Sequence, residues 1–326
     1  MERSYRRVLV QFAGVAMVAT GGAALAQSYP NKPIRMLTAT SPGGATDIIA
    51  RITGTALSQR LGQPVNVENR PGGAFIPGTD AAIKSAPDGY TLLFSSVEGL
   101  DILPSAVKIP YDAARDLIPL GSITKVDPVI CVPASLNISS VKELIATAKA
   151  KPGKLSFAST GPGSLTHMMG ELLKLRAGVD ILHVPYKSSQ AAVVDAVGGR
   201  LDLVFTGVAP ITQHVKSGAM KVLANMGSAR IPTMPDVPTM TESGYPGFEV
   251  VSWMGVFAPA GVPGDIVARL GREVQEVSRS AAFAEQMAKF GSDPIVMGPE
   301  EFGRYVVAQR AMWKAVAREA KIEMAQ

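Results

Sequence analysis

The sequence predicts a two-domain α/β protein built on open, mostly parallel sheets, and three observations support this prediction. The chain has 326 residues, which is too long for one small core and fits two domains of about 150 residues. Apolar residues make up 47% of the chain and charged residues 18%, as is typical of globular proteins. From residue 30 onward, short apolar runs with strand character alternate with segments of helical periodicity.

The first half of the chain starts with short strands separated by helices and turns. Strands are predicted at 34–40, 65–67, 90–94 and 129–132. A helix follows the first strand, because apolar residues recur at helical spacing up to Leu61, and Gly62 ends it. A later helix opens at Ser140, since Ser140 and Glu143 fit a capping box.

The second half repeats this alternation. Strands are predicted at 154–158, 181–184, 201–205, 221–224 and 250–257, and helices at 165–175, 190–197, 211–216, 267–279, 283–290 and 300–320. The last three helices have no strands of their own, so we expect them to pack on the N-terminal sheet. The chain then crosses between domains twice, near 124–128 and 246–252. This organisation predicts a first domain of residues 27–126 plus 250–326, a second domain of residues 127–249, and a hinged cleft between them.

Residues 1–26 predict a secretory signal peptide that is removed from the mature protein. A basic head with three arginines precedes an apolar run from Val8 to Ala23, and Ala24-Leu25-Ala26 forms a small-residue cleavage site before Gln27. A transmembrane anchor is the alternative interpretation, although the run is short for a span of about 20 residues. The paired arginines leave open whether export follows the general or the twin-arginine route. We therefore expect a protein that works outside the cytoplasm.

Composition excludes several classes of function. A single cysteine, Cys131, excludes an intrachain disulfide and any cysteine-based metal site, and the three histidines show no metal-ligand spacing. We expect no metal and no cofactor. The formal charge of +5 is evenly spread and carries no basic block, so a nucleic-acid partner is not expected either.

Two glycine-bearing loops are candidates for holding a ligand, because ligands of open α/β sheets bind where strands lead into helices. The first bend, Ser41–Asp47, contains two glycines, and Thr46 or Asp47 can cap the following helix. A helix start carries partial positive charge and favours an anion. A purely structural strand-to-helix turn is an equally good interpretation of this loop alone.

The second bend, Ser159–Ser164, leads into a helix that carries His167. Gly161 and Gly163 match part of a dinucleotide-binding motif, but Thr166 stands at the third glycine position and no acidic residue follows at the required distance. A Walker loop and a GxSxG nucleophile turn are absent from the sequence. The second bend is therefore interpreted as a binding loop for another kind of ligand.

Motifs along nearly the whole mature chain resemble those of the tripartite tricarboxylate transporter substrate-binding proteins, also called the Bug family. In chain order these motifs are Tyr29–Ile34, Pro42–Asp47 with Ala50-Arg51, Glu68–Gly73, Pro87–Leu92, Ser159–Ser164 with His167, His183–Lys187, Gly198-Gly199 before Leu201-Asp202, Pro235–Thr239 with Glu242 and Gly244, and Phe257–Gly261. The resemblance implies a type II periplasmic binding protein, with two α/β domains joined by a two-strand hinge and closing on a ligand like a Venus flytrap.

The same resemblance implies a non-enzymatic receptor, with no catalytic residue, that passes small carboxylates to a membrane transporter and acts as a monomer. It implies that both bends hold the ligand carboxylate, chiefly through backbone groups and waters. The expected ligand-binding residues are Pro42, Gly43, Gly44, Ala45, Thr46, Asp47, Ser95, Ser96, Ser159, Thr160, Gly161, Pro162, Gly163, Ser164, His167, Tyr186 and Phe205. Tyr186 and Phe205 are expected as walls of the site.

This chain departs from the family pattern near the expected far end of the ligand. Ile102-Leu-Pro104 replaces a common Ile-Asn-Pro, Glu98 and Asp101 lie in the same loop, and Ser188-Ser189 replace a glycine pair. An additional carboxylate at Glu98 would repel a second ligand carboxylate unless it is paired. We therefore hypothesise a monocarboxylate or an amine-bearing ligand rather than a tricarboxylate.

Two other functions stay open from the sequence. An exported α/β hydrolase would need a nucleophile and a base, and Ser164 with His167 is the only nearby pair. Alternatively, the loaded protein could contact a sensory receptor instead of a transporter.

Overall fold

The structure is a computed structural model that describes residues 29–322, without the side chain of Ala74. The predicted signal peptide lies outside the described residues. Within them, no helix is both long and apolar enough to cross a membrane.

The first sheet has six strands in the order β11-β4-β10-β3-β1-β2. They are β1 (Ile34–Thr38), β2 (Val65–Asn69), β3 (Thr91–Ser96), β4 (Leu117–Val126), β10 (Ser252–Pro259) and β11 (Asp293–Pro294). Strands β1, β2 and β3 are parallel, whereas β10 runs antiparallel to both β3 and β4. The chain thus leaves this sheet through β4 and returns through β10.

The second sheet has five strands in the order β7-β6-β8-β5-β9. They are β5 (Val129–Pro133), β6 (Ser156–Ser159), β7 (Leu182–Pro185), β8 (Leu203–Thr206) and β9 (Met220–Asn225). Strand β6 is parallel to β7 and β8, and β5 is antiparallel to β8 and β9. All five strands come from the segment between the two crossings.

The prediction of two open α/β sheets is confirmed, but the sheets are mixed rather than mostly parallel. The reason lies in the crossings between the domains. One connection leaves the first sheet along β4 and the other enters it along β10, so these neighbouring strands run in opposite directions. Strand β5 continues directly from β4 and is antiparallel to both of its neighbours. The parallel pairs are confined to the strands joined by helical crossovers.

Eleven α-helices flank the sheets within the described part of the chain. They are α1 (Ala45–Leu61), α2 (Ile76–Ile83), α3 (Leu103–Ala106), α4 (Ala113–Asp116), α5 (Val141–Ala150), α6 (Leu165–Ala177), α7 (Ser189–Val197), α8 (Thr212–Lys216), α9 (Gly264–Arg279), α10 (Ala281–Ala288) and α11 (Pro299–Glu319). Gly62 ends α1 with a left-handed φ of 68°, and the Ser140 side chain caps α5 by accepting from the Glu143 N–H. A π-helical turn at Glu98–Ile102 follows β3.

The closing helices pack on the first sheet, as expected, but the expectation that they have no strand of their own is wrong, because the two-residue strand β11 lies between α10 and α11. Trp253 of β10 and Trp313 of α11 are both fully buried, and the ring of Phe302 meets Trp253 edge to face at 5.3 Å. Gly121 of β4 lets α9 approach closely, because a Cβ there would lie 2.8 Å from Val274. Helix α11 also contacts α6 of the second domain. The apolar core under α11 is therefore continuous between the two domains.

Candidate functional site

Both predicted bends leave the carboxyl ends of parallel strands. The first bend follows β1, and the second follows β6. Thr38 near the end of β1 lies beside Phe94 of β3, so the turn that begins at Glu98 leaves the same sheet edge as the first bend. Glu98 of this turn and residues 160 and 162–164 before α6 line one cavity between the two domains.

The first bend is held by the carboxylate of Asp47, which is only 2% exposed. This carboxylate accepts from the Gly43 N–H at 2.8 Å and from Asn69 Nδ2 at 2.8 Å, and it pairs with Arg51 at 3.0 Å. Burial by itself would raise the pKa of Asp47, but the hydrogen bonds from Arg51, Gly43 and Asn69 lower the pKa below its usual value. Asp47 therefore positions the bend, and both of its oxygens are already engaged within the protein.

The start of α1 offers backbone donors instead. Gly44 caps the helix without a side-chain hydrogen bond, and residues 42–45 are exposed. Within residues 29–322, no protein acceptor takes the N–H groups of Gly44, Ala45 and Thr46. These amides stand at the positive end of the helix, which is a favourable position for an anion.

The second bend is a tight turn closed by its own side chains. Ser164 caps α6, since its Oγ accepts from the His167 N–H at 3.2 Å and donates to the Gly161 carbonyl at 2.7 Å. The Gly163 N–H donates to Nδ1 of His167 at 3.0 Å, and the Gly161 N–H donates to Ser159 Oγ at 3.0 Å. Gly161 has a φ of 119°, which a residue with a Cβ rarely adopts.

The two histidines near this bend are packing residues. His167 and His183 stack with ring centroids 4.1 Å apart, and Phe157 stacks on His183 at 5.1 Å. Burial lowers the pKa of His167, and burial together with the neighbouring His167 lowers the pKa of His183 to about 4. Both rings are therefore neutral at pH 7, and His183 Nε2 lies 2.6 Å from Ser159 Oγ. His183 is thus both stacked and hydrogen-bonded within the second domain.

A cavity of about 320 Å³ lies between the two domains at the second bend. Its lining residues are Phe75, Glu98, Leu103, Thr160, Pro162, Gly163 and Ser164. The first three belong to the first domain and the other four to the second bend. The first bend does not line this cavity, and no hydrogen bond joins the two bends in the described part of the chain. A larger cavity of about 590 Å³ between 208–216 and 288–293 contains none of the predicted ligand-binding residues.

The remaining predicted residues occupy different places. Ser95 and Ser96 are buried at the end of β3, next to the cleft edge. Tyr186 donates its hydroxyl to Asp195 at 2.9 Å and packs with the cluster around α7. Phe205 is 1% exposed and meets Phe157 edge to face at 6.1 Å, so it belongs to the core and does not form a wall of the cavity. The register of a strand decides whether an aromatic side chain near its end points into the core or out of it. The sequence pattern does not determine the register of β8.

Sequence reasoning missed Phe75 as a lining residue. It follows Gly72-Gly73 and adopts a left-handed φ of 60°, which is unusual for a bulky side chain. Its ring lies over the turn after β3, because a Cβ on Gly99 would be 3.5 Å from Phe75 Cδ1. The signal in the sequence is the glycine-rich end of the Glu68–Gly73 motif, which lies just before Phe75.

Comparison with known proteins identifies the family of this chain. The family model described as tripartite tricarboxylate transporter family receptor matches residues 49–322. The chain belongs to this receptor family. The resemblance inferred from the sequence motifs is thereby confirmed.

Individual relatives of this receptor-family chain agree with its fold. BugT of Bordetella pertussis is 39% identical over 310 residues, covering 93% of this chain and 94% of BugT. The solved structure of the periplasmic binding protein BugD is 33% identical and superposes with a TM-score of 0.71, covering 90% of this chain and 99% of BugD. The R. palustris protein Rpa4515, solved with adipate, is 30% identical with the same TM-score and the same coverage. The fold is that of a two-domain periplasmic binding protein.

Within residues 29–322, no group of three or more histidine, cysteine, aspartate or glutamate side chains is arranged to hold a metal ion. In the described part of the chain, the polar side chains that line the interdomain cavity are the hydroxyls of Thr160 and Ser164 and the carboxylate of Glu98. Such a set binds small polar molecules through hydrogen bonds.

Proposed function

We propose that this protein captures a small organic carboxylate in the cleft between its domains and delivers it to a tripartite tricarboxylate-type transporter. The carrying observation is the start of α1, where three consecutive N–H groups lack a protein acceptor among the described residues, at the sheet edge from which the turn with Glu98 also leaves. Backbone amides at a helix start bind a carboxylate without a cationic side chain. In this proposal the first 26 residues direct export, and the mature monomer works in the periplasm with domains of 27–126 plus 250–326 and 127–249.

Closure would bring the first bend toward the second. The bends belong to different domains, and two crossing segments connect these domains. Hinged closure around a ligand is the usual motion of periplasmic binding proteins. A relative of this chain, the R. palustris protein, was solved with adipate, which supports a carboxylate as ligand.

The pair of Ser164 and His167 does not favour a hydrolase. Ser164 Oγ donates to the Gly161 carbonyl, and Nδ1 of His167 accepts from the Gly163 N–H. The imidazole therefore does not act as base to this hydroxyl, and a nucleophile needs such a base.

Thermal unfolding with added ligands tests the proposal. The purified mature protein is heated with a panel of mono-, di- and tricarboxylates and amino acids, each matched by the neutral amide of the same skeleton. A bound carboxylate at about 100 times its Kd stabilises the fold by about 2.7 kcal/mol and raises Tm by several degrees. The amides should give no shift. If no carboxylate raises Tm and calorimetric titration detects no binding, the proposal is wrong.

A further inference from the structure

The carboxylate of Glu98 reaches from the first domain to the second. Glu98 begins the π-helical turn after β3, and its Oε1 accepts from the Leu165 N–H at 3.2 Å. Leu165 is the first residue of α6, so Glu98 occupies the anion position at the start of that helix. The second bend therefore already holds a carboxylate that belongs to the protein.

This carboxylate has no cationic partner among the described residues. Burial raises the pKa of Glu98 and the Leu165 N–H only partly offsets this, so the charged form lacks compensation; the other residues lining the cavity are uncharged. Other buried acids in this chain are paired, as Asp47 is with Arg51. A half-buried carboxylate with one hydrogen bond is costly unless a positive group compensates it.

The other walls of the cavity suit an apolar ligand body. Phe75, Leu103 and Pro162 line it together with Glu98. Phe75 keeps a left-handed backbone, which is unfavourable for a residue with a side chain. Strain of this kind accumulates at ligand sites, where it fixes a side chain against the ligand.

We propose that Glu98 is the specificity-determining residue of the cleft, seating the ammonium group of an amine-bearing carboxylate and excluding a second carboxylate. This inference rests on the proposed function. The ligand carboxylate goes to the free amides at the start of α1, because Glu98 fills the equivalent position at α6. A dicarboxylate would bring its second charge against Glu98, whereas an ammonium group neutralises it.

Four six-carbon probes test this inference by calorimetric titration: hexanoate, 6-aminohexanoate, 2-aminohexanoate and adipate. The wild type should bind one of the two amines at least about 10-fold more tightly than hexanoate, since a hydrogen bond to a charged group contributes that much. Adipate should bind more weakly than hexanoate. In Glu98→Gln the affinity for the amine should fall about 10-fold or more. The affinity for adipate should rise, because the variant no longer repels the second carboxylate of adipate.

Two further variants serve as controls. Glu68→Gln removes another acid of the first domain, one that is exposed and paired with Arg35 and Arg70, and it should leave the ranking of the probes unchanged. Glu98→Asp keeps the charge and should keep the preference for the amine, which covers the case that Glu98→Gln does not fold.

The inference is overturned if hexanoate or adipate binds the wild type as tightly as both amines, or if Glu98→Gln leaves the ranking as it was. It is also overturned if none of the four probes binds while another carboxylate does. If no carboxylate binds any form, the proposed function itself fails.

Discussion

Replacing Asp47 by alanine tests the way in which the first bend is built. The substitution removes the acceptor for the Gly43 N–H, for Asn69 Nδ2 and for Arg51. The side chain of Arg51 is half-exposed, and water can solvate its guanidinium group. The loss of the ion pair between Arg51 and Asp47 therefore costs little. Each of the other two donors loses a hydrogen bond to a carboxylate at a partly exposed site, at about 1–2 kcal/mol apiece. We therefore expect the free energy of unfolding to fall by about 2–4 kcal/mol.

Urea unfolding followed by fluorescence of the buried tryptophans measures this change. The matched control is Glu276→Gln, which removes exposed ion pairs with Arg60 and Arg279 and should change the free energy by less than about 1 kcal/mol. The pKa of Asp47 is lowered in the folded state, so its contribution is present above the unfolded pKa of about 4 and is lost as pH falls through the lower folded value. The difference between wild type and variant should therefore shrink below pH 4.

Ligand binding should weaken in the same variant, because the bend that presents the α1 amides loses its anchor. We expect about a 10-fold loss for whichever carboxylate the thermal screen identifies. A variant as stable as Glu276→Gln, with unchanged affinity, would refute the reasoning that Asp47 holds the bend.

Three further predictions concern the second bend and the turn after β3. Ser164→Ala removes the cap of α6 and should lower the free energy of unfolding by about 1 kcal/mol. The control Ser135→Ala, on an exposed turn, should leave the free energy of unfolding unchanged. Equal free energies for the two variants would contradict the capping role of Ser164. In Gly161→Ala there is space for the added Cβ, but alanine does not readily adopt the φ of this position. The substitution should therefore lower the free energy of unfolding, measured in urea, by about 1–3 kcal/mol. An unchanged free energy would show that the bend relaxes. Burial raises the pKa of Asp101 to about 7 despite Arg310, so its folded form keeps a proton that the unfolded chain releases above pH 4. Stability from this group therefore falls as pH rises from about 4 to 7, and Asp101→Asn should flatten that slope in a Tm series; an unchanged slope would contradict the shift.

Local signals predicted much of the fold. Gly62 ends α1 and Ser140 caps α5, each as the sequence indicated. Strand β4 was not predicted, although it carries the chain into the second domain. Its sequence contains Pro119 opposite Phe257, where the pairing with β10 is irregular, and polar residues that bond to the backbone near β11. Strand propensity alone does not reveal such a segment, because its partners come from far along the chain.

The site was predictable to a similar extent. The glycines and the strand-to-helix positions indicated both bends, because backbone conformation is a local property. The contact between Glu98 and Leu165 and the position of Phe75 in the cavity could not be predicted, since both depend on how the two domains meet. Phe205 shows the same limit, because its direction depends on strand register rather than on residue type.

A crystal structure with the tightest-binding carboxylate from the thermal screen tests the central claim most directly. Our account predicts the ligand in the cleft between the domains, with a carboxylate oxygen within about 3.2 Å of the N–H groups of Gly44, Ala45 or Thr46 and the rest of the molecule against the second bend. A ligand bound elsewhere, for example between 208–216 and 288–293, would contradict it.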